Sequence, residues 1–368
     1  MTNIVIEGAD YQDSEAVMIS SGFPLNSGGT YVFSTGRTFN RGRQWENNAS
    51  AAYATIPFPG GSEVYLGMHV SYNEEWVITN GEYDGTFQAG GVQLFSIRES
   101  AQTVPHLKLY LTRNRGLRVL RGTNTDLAGT TGRTDGGVID DLMMDYIEFY
   151  AKINATTGAF EVKVNDVTVM SATGIDTTST SAVGVTIDDV LIYHRNVANS
   201  ITSNDHEIDN LYINDHNGAS PFNGFLGETE IITLFPDGDG FQSDFTATGA
   251  GTTNSDRVDD KVPPDDDTTY VESATIGHID SYTMENLPYT ADTIYGIQIN
   301  CRAKTDDGSA KTARQRIRSN ASDFLGTNFS VQSTYTGDRA LCLVDPNTAA
   351  AWTSAAVDAM QVGHEVIA

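Results

Sequence analysis

The feature that most limits the fold of this chain is a series of short segments in which apolar and polar residues alternate. The clearest is GAFEVKVNDVTVMSA (158–172), where apolar residues at every second position from Phe160 to Val164 are separated by Glu and Lys. Successive side chains of a strand point to opposite faces of a sheet, so this pattern predicts strands with one buried and one hydrated face. Asn165 and Asp166 lie between two such runs and tolerate positive φ, which predicts a tight hairpin turn.

Similar segments recur between residues 20 and 217, and no long helical pattern separates them. The composition agrees, because the chain has 35 glycines together with abundant Thr, Asp, Asn and Ser, which favour turns. About ten strands without an intervening helix predict an all-β fold, a β-sandwich closed on itself. The predicted strands are 31–35, 63–72, 92–97, 107–112, 117–122, 145–154, the hairpin 158–172, 190–194 and 208–215.

The residues after 217 predict a second, smaller β-sandwich domain. Strand patterns occur at 225–235, 328–335 and 340–345, and the segments 294–304 and 311–319 resemble the two arms of a hairpin. Thr353 or Ser354 is suited to cap the one helix that we predict. We therefore expect an N-terminal arm at 1–19, a sandwich at 20–217, a linker at 218–224 and a C-terminal β domain at 225–368 with one short helix near 353–361.

The charge of the chain excludes several classes of partner. Lys and Arg total 22 against 48 Asp and Glu, a net charge of −26, so a nucleic-acid binder is not expected. No apolar run approaches the ~20 residues that span a bilayer, so we expect no membrane insertion. Glu7 and Asp10 stand where a secretion signal would be apolar, which predicts synthesis in a cytoplasm. Cys301 and Cys342 predict two buried free thiols, with a single bridge as the alternative.

The order of the strands resembles that of concanavalin-like lectin and laminin-G-like sandwiches, a jelly roll, over residues 20–217. A second resemblance spans most of 140–368 and rests on four passages in one order. They are IDNLYINDHNG (208–218), FLGETEIITLFPDGDG (225–240), VDDKVPPDDDTTYV (258–271) and AAAWTSAAVDAMQVGHEV (349–366). In this order they resemble a family of tailed-bacteriophage virion structural proteins of the minor tail or fibre type. That resemblance implies a virion component without a known chemical activity.

The segment HEIDNLY (206–212) is the strongest catalytic candidate. Laminarinase-type glycosidases, which share the lectin sandwich, carry a Glu-x-Asp-x-x-Glu strand motif whose two Glu residues are nucleophile and acid. Glu207 and Asp209 match its first half, but Tyr212 stands where the second Glu belongs. Without that acid the leaving oxygen receives no proton. We therefore predict no catalytic residues, with Asp209 at the surface, and that the chain is not an enzyme.

Two groups of carboxylates are candidates for a calcium site, since hard cations take several oxygen ligands. Asp237 and Asp239 alternate with glycines, and Asp259 and Asp260 open an acidic stretch. The first group lacks the third acid and the distant Glu of a calcium loop, so a plain turn at Pro236 is favoured. No other cofactor is expected.

Five cations form a pattern that is unusual in so acidic a chain. On a strand, Arg302 and Lys304 share one face, and Arg314, Arg316 and Arg318 share one face of the next strand. If the two strands form a hairpin, these cations line either a solvated edge that discourages aggregation or an interface. The interface hypothesis places the acidic loop 256–267, of the same domain or of a neighbouring subunit, on these cations.

The sequence as a whole predicts a structural component of a tailed-phage virion, tail- or fibre-associated, that displays a lectin-like domain. Tyr72, Trp76 and Tyr83 are the candidate rings for stacking on a host-surface glycan. Other virion proteins are the expected partners, in a homo-oligomer that we expect to be a trimer, located in a virion assembled in host cytoplasm. The alternatives are a capsid decoration or head-fibre protein, and a carbohydrate-binding module or laminarinase-type glycoside hydrolase.

Overall fold

The computed structural model describes residues 5–7, 25–26, 30–34, 42–46, 53–72, 91–100, 102–112, 115–123, 125–127, 138–139, 144–179, 184–193, 206–260, 265–309 and 311–368. These residues form two compact units, the first ending at Ile231 and the second running from Ile232 to Ala368. None of the helices in these ranges is long and apolar enough to cross a membrane.

The first unit consists of strands. In chain order they are β1 (Val5–Glu7), β2 (Leu25–Asn26), β3 (Thr30–Ser34), β4 (Gly42–Glu46), β5 (Tyr53–Gly61), β6 (Glu63–Tyr72), β7 (Gly91–Arg98), β8 (Leu107–Thr112), β9 (Leu117–Arg121), β10 (Thr125–Asp126), β11 (Met144–Lys152), β12 (Gly158–Val164), β13 (Val167–Ile175), β14 (Ile187–Tyr193) and β15 (His206–Asn214).

These strands form two antiparallel sheets within the described residues. The first sheet has the order β13-β12-β11-β6-β15-β4-β3, with β1 also paired to β15, and the second has the order β10-β9-β8-β7-β14-β5-β2. Phe149 of the first sheet packs edge-on against Phe95 of the second, with ring centroids 4.8 Å apart, and both side chains are fully buried. The two sheets therefore pack face to face, which confirms the predicted all-β jelly-roll sandwich.

The β12–β13 hairpin confirms the meaning of the alternating pattern. Asn165 and Asp166 have φ values of 48° and 64°, as a tight turn between two strands requires. On β12, Phe160, Val162 and Val164 are buried as predicted.

The second unit is also built mainly of strands. They are β16 (Pro236–Ser243), β17 (Thr246–Thr248), β18 (Tyr270–Glu272), β19 (Ile279–Met284), β20 (Ile297–Ala303), β21 (Lys311–Ser319), β22 (Ser322–Leu325), β23 (Phe329–Val331), β24 (Thr336–Cys342) and β25 (Gln361–Val366). A 3₁₀ turn (Ser255–Arg257) follows β17, and helix α1 (Ser354–Asp358) precedes β25. The Thr353 hydroxyl accepts a hydrogen bond from Ala356 N at 3.2 Å, which confirms Thr353 as the cap.

The core of the second unit lies between two sheets. One has the order β16-β19-β25-β21-β22, with β23 also paired to β21, and β20 pairs with β24 in the other. Ile317 of the larger sheet and Ile299 and Cys342 of the smaller one belong to one buried cluster, to which Trp352 also contributes. This arrangement confirms the predicted small β-sandwich. Cys301 and Cys342 are free thiols, as expected, although Cys301 is half-buried.

Two predictions about the C-terminal end of the first domain are wrong. The segment 225–235 is not a strand, and the first unit extends to Ile231 rather than ending before residue 225. The reason is that residues 224–231 bond to side chains of the first sheet instead of to a neighbouring strand. Within the predicted N-terminal arm, Val5–Glu7 form β1, which pairs with β15 from Leu211 to Ile213.

Two predictions about the second domain are also wrong. The segments 294–304 and 311–319 do not form a hairpin, because β20 pairs with β24 whereas β21 pairs with β25, β22 and β23. The passage PDGDG is a strand, β16, rather than a turn. Its glycines allow close approach to β19, since a Cβ at Gly240 would lie 2.7 Å from Ser281 Oγ and 2.8 Å from the Ser281 backbone.

Candidate functional site

The candidate site lies on the side of the first sheet that faces away from the second sheet, which we call the outward face. On strands β6, β11 and β15 the alternation buries residues such as Leu66, Phe149 and Ile213 between the sheets. The residues between them therefore belong to the outward face. They form three cross-strand rows: Tyr65 with Tyr150 and Asn214, Gly67 with Glu148 and Tyr212, and His69 with Tyr146 and Asp209.

A β-bulge on β15 arranges two of these rows. The register between β15 and β6 shifts between Asp209 and Tyr212, and Asn210 has a φ of 54° at the extra position. Because one residue is added, Tyr212 rather than Leu211 lies opposite Gly67. The bulge thus brings the Tyr212 ring next to the residues of β11.

Gly67 makes room for two tyrosine side chains. A Cβ at this position would lie 2.2 Å from Tyr212 Cε1 and 2.6 Å from Tyr146 Oη. Both tyrosines therefore lie directly over the backbone of β6, which is possible only where a side chain is missing.

Residues 224–231, which we call the strap, lie across the outward face without regular secondary structure. Six side chains of that face, none more than 2% exposed, bond to it: His69, Tyr146, Glu148, Asn210, Tyr212 and Asn214. Four contacts use the strap backbone: Gly224 O accepts from Asn214 Nδ2 (3.3 Å), and the N–H groups of Leu226, Gly227 and Ile231 donate to Tyr212 Oη (3.2 Å), Glu148 Oε1 (2.9 Å) and Asn210 Oδ1 (2.8 Å), respectively. Two contacts use strap side chains: Glu228 Oε1 lies 3.2 Å from His69 Nε2, and Thr229 Oγ1 lies 2.8 Å from Tyr146 Oη.

Glu148 is at the centre of this network. Its Oε1 accepts hydrogen bonds from Tyr212 Oη at 2.6 Å and from Gly227 N, whereas its buried Oε2 has no hydrogen-bond partner within the part of the chain that the structure describes. Burial raises the pKa of the Glu148 carboxyl, and the bonds from Tyr212 and Gly227 offset only part of that effect. Burial likewise raises the pKa of Tyr146 and of Tyr212.

One end of the outward face is open and aromatic. The rings of Tyr65 and Tyr150 stack with centroids 4.6 Å apart and an interplanar angle of 25°. His216 stacks on Tyr65 at 5.9 Å, and Phe225 of the strap meets Tyr65 edge-on at 5.2 Å. Tyr65, Tyr150 and Phe225 are half-buried, and the His216 side chain is 46% exposed. We call these four rings the platform.

Charged groups surround the platform. Glu63 accepts a hydrogen bond from Tyr150 Oη at 2.7 Å and lies 3.0 Å from Lys152 Nζ. Burial alone would raise the pKa of Glu63, but the bonds from Tyr150 and Lys152 outweigh it and lower that pKa. Lys163 Nζ lies 4.2 Å from the centre of the Phe225 ring. The platform therefore combines ring faces with a carboxylate and two ammonium groups, a set that can stack on a sugar and bond to its hydroxyls.

The predicted sugar-binding rings are different residues. Trp76 and Tyr83 lie outside the described residues. Tyr72 ends β6, and the structure describes its backbone only. The sequence does not single out Tyr65 and Tyr150 as a stacked pair, because 85 positions of the chain separate them. The alternation within β6 and β11 does place each of them on the outward face.

The segment HEIDNLY lies on β15, and its Asp209, Asn210 and Tyr212 belong to the outward face. Asp209 is buried, with 3% exposure, which corrects the expectation that it lies at the surface. Its Oδ1 accepts from Asn210 N at 2.8 Å, so the bulge that carries Asn210 also holds the carboxylate. Glu207 pairs with Ser71 through the backbone. A carboxyl group does lie beside Tyr212, but it belongs to Glu148 on another strand, which no local motif reveals.

The four predicted metal ligands do not converge with other ligands in the described ranges, which hold no group of three or more His, Cys, Asp or Glu residues arranged for a metal. Asp237 Oδ1 accepts from Thr283 Oγ1 at 2.7 Å, and Asp239 Oδ1 accepts from Ser255 N at 2.8 Å. Asp260, next to Asp259, accepts from Asp265 N at 3.1 Å. Calcium binding by these residues stays a prediction.

The five predicted interface cations do not share one hairpin face. Arg302 lies on β20 and Lys304 just beyond its end, whereas Arg314, Arg316 and Arg318 lie on β21 of the other sheet. Arg302 makes two hydrogen bonds to Asp266, at 2.8 and 2.9 Å, and Lys304 pairs with Asp267. Part of the acidic loop 256–267 therefore meets cations of its own unit. On β21, the paired groups are Arg314 with Glu365, Arg316 with Glu365 and Asp323, and Arg318 with Asp323. A role in subunit contacts stays a prediction.

Comparison with known proteins gives matches among solved structures. No protein-family model and no curated protein matches the chain. The alginate lyase Aly36B has 14% identity and a TM-score of 0.39, covering 57% of this chain and 96% of its own. The PL-14 alginate lyase from Aplysia kurodai has 11% identity and a TM-score of 0.39, covering 57% and 97%. Trypanosoma rangeli sialidase in complex with sialic acid has 12% identity and a TM-score of 0.30, covering 50% and 30%.

These matches correct one prediction. From the missing second Glu of the segment HEIDNLY we predicted that the chain is not an enzyme, but the similar solved structures are lyases and a sialidase. The resemblance to phage virion proteins stays a prediction.

The space at Gly67 leads to a test of the outward face. We expect Gly67→Ala to destabilise the protein by about 1–3 kcal/mol, because the new Cβ overlaps the rings of Tyr212 and Tyr146. Chemical denaturation measures this change. Gly61→Ala is the matched control, since its Cβ would meet neighbours no closer than 3.7 Å. Equal stability of the two variants would contradict the arrangement.

The burial of Glu148 leads to a test by pH. Because its pKa in the folded protein is raised above the ordinary 4.5, its contribution to stability is fully present below that pH and is lost as the pH rises through the folded-state pKa. We expect Glu148→Gln to lack this loss. Thermal melts between about pH 4 and pH 8 should show the variant gaining on the wild type as the pH rises. A constant difference across the range would argue against a raised pKa of the Glu148 carboxyl.

Proposed function

We propose that this chain is a glycan-binding protein whose first unit holds sugar on the platform. The single observation that carries the proposal is the stacked pair Tyr65–Tyr150, half-exposed and bordered by Glu63 and Lys152. A sugar ring offers an apolar C–H face to an aromatic ring and hydroxyl groups to charged or polar neighbours. The platform provides both kinds of partner on adjacent strands of one rigid sheet.

The fixed geometry of the platform favours binding. Tyr150 is held by its hydrogen bond to Glu63, and Tyr65 is packed between Tyr150 and Phe225. Rings that are already held in place lose little conformational entropy when a ligand stacks on them. Known carbohydrate-active proteins among the similar structures agree with this proposal but do not carry it.

The charge of the chain indicates a class of glycan. Glu63 and Asp209 lie on the outward face, Glu228 lies on the strap, and the whole chain has a net charge of −26. Anionic polysaccharides would be repelled by this field at low salt. A neutral glycan is therefore the proposed ligand.

We further propose that the protein displays this unit on a tailed-phage particle, as a tail- or fibre-associated component. The support is the order of the four passages between residues 208 and 366. Binding to a host-surface glycan would be a suitable task for such a component, and a repeated, symmetric arrangement would strengthen it by multivalency.

The platform is tested by removing its central ring. We expect Tyr65→Ala to weaken binding of a neutral hexasaccharide at least tenfold, about 1.4 kcal/mol, and Tyr65→Phe to retain most of the affinity because the ring remains. Calorimetric titration with cellohexaose, laminarihexaose and chitohexaose measures this, with alginate hexasaccharide as the anionic comparison. Product analysis of the same mixtures detects cleavage. Tyr289→Ala, which removes an exposed tyrosine of the second unit, is the control. If no neutral probe binds the wild type, the glycan proposal fails.

The location on a particle has a separate test. An antiserum against this chain should label tails or fibres of purified phage particles in electron micrographs, with preimmune serum as the control. Label on the capsid would favour a decoration protein instead. Particles that lack the chain altogether, as judged by mass spectrometry, would rule out a virion component.

A further inference from the structure

The strap covers a set of side chains that is unusually polar for a buried contact. Beneath it lie two tyrosines, a histidine, a carboxylate and two carboxamides, none of them more than 2% exposed. A cover with a purely structural role is usually apolar, because each buried polar group costs free energy unless it is bonded. The outward face is thus built like a binding groove.

The contacts show how the groove is filled. The strap offers three kinds of group that a sugar ligand also has: donors, here the backbone N–H groups bonded to Tyr212, Glu148 and Asn210, a hydroxyl at Thr229, and a ring at Phe225. Hydroxyl groups of a sugar chain can donate and accept at the same positions. Within the described part of the chain no strand ladder holds the strap, and these individual bonds help to keep it in place.

One atom in the groove remains without a hydrogen bond in the described structure. Glu148 Oε2 is buried beneath the strap and has no partner there, although Glu148 Oε1 has two. An unsatisfied carboxylate oxygen at the centre of a polar set indicates that the strap is an imperfect occupant. A ligand hydroxyl group at this point, which can donate or accept a hydrogen bond, would satisfy it.

The platform and the covered groove are continuous. Tyr65 lies four residues from His69 on β6, about 13 Å along the strand, and Phe225 at the start of the strap touches Tyr65. A disaccharide would fit on the platform alone. A longer chain that begins on the platform must enter the space that the strap holds.

From this arrangement we infer that the strap is an internal competitor: it occupies the distal part of the glycan-binding groove, and a long glycan must displace it. The inference rests on the proposed function and adds to it that recognition depends on ligand length. Displacement would expose Glu148, Tyr146, Tyr212 and His69 to the ligand and to water. The strap bonds that are lost lower the apparent affinity for long ligands only.

The experiment weakens the strap without touching the platform or the groove. Glu228→Gln with Thr229→Val keeps the size of both side chains and removes the charge next to His69 and the hydroxyl next to Tyr146. In the full-length chain we expect this double variant to bind cellohexaose, or the corresponding laminari- or chito-hexasaccharide, at least tenfold more tightly than the wild type. Affinity for the matching disaccharide should not change.

A second Glu/Thr pair provides the matched control. Thr248 Oγ1 donates to Glu272 at 3.4 Å on the surface of the second unit, so Thr248→Val with Glu272→Gln removes the same groups elsewhere. Its affinities should equal those of the wild type. A synthetic peptide of the strap sequence GFLGETEI, added in excess to the strap variant, should lower hexasaccharide affinity toward the wild-type value.

The outcomes separate the two proposals. If the wild type binds both lengths of sugar and the strap variant binds them equally well, the strap is not a competitor, while the platform proposal stands. If no probe binds either protein, both proposals fail. Should the variant melt at a lower temperature, hydrogen exchange in the wild type decides: saturating hexasaccharide should accelerate exchange at the amides of Leu226, Gly227 and Ile231. Unchanged or slower exchange there would overturn the inference.

Discussion

The interaction on which the first unit most depends is the set of hydrogen bonds between the strap and the outward face. Polar side chains can be buried there only because backbone and side-chain groups of residues 224–231 satisfy them, since each unbonded group would cost about 1–3 kcal/mol. The same bonds explain why this segment is not a strand and why the first unit ends at Ile231. One bulge and one glycine, at Asn210 and Gly67, make the arrangement possible by bringing two tyrosines over the backbone.

The outward face therefore has two parts with different accessibility. The platform of Tyr65, Tyr150, His216 and Phe225 is open, whereas the rows that contain Glu148 and His69 are closed. A cluster of tyrosine, histidine and carboxylate is a set of groups capable of acid–base chemistry once it is reached by a ligand. The distinction between a binding protein and an enzyme thus depends on what the strap does, and not on the sandwich that carries it.

Much of the fold could be predicted because the alternation that indicates a strand is a property of a few neighbouring residues. The predicted bounds of the strands at 63–72, 107–112 and 311–319 coincide with β6, β8 and β21. The hairpin turn at Asn165 follows from its residue type and from its place between two alternating runs. The wrong strand and turn predictions have one cause: the groups that lie beside a segment in the fold decide whether it forms a strand. In the segment 225–235 the backbone bonds to side chains, as Gly227 N does to Glu148, so no strand forms. The passage PDGDG pairs with β19 and is therefore a strand. The site was predicted poorly for the same reason, because Glu63 and Tyr150 are 87 residues apart and Glu148 and Tyr212 are 64 apart.

The sequence by itself determined that the chain is all-β, that it contains a larger and a smaller sandwich, and that its net charge is −26. Alternation and charge are properties of neighbouring residues or of the whole chain, so they can be read without coordinates. Only the tertiary structure decided which rings stack, which carboxylate is buried and which segment covers it. Those outcomes depend on the register between strands far apart in the chain, and a shift of a single residue, as at Asn210, changes which side chain reaches the outward face.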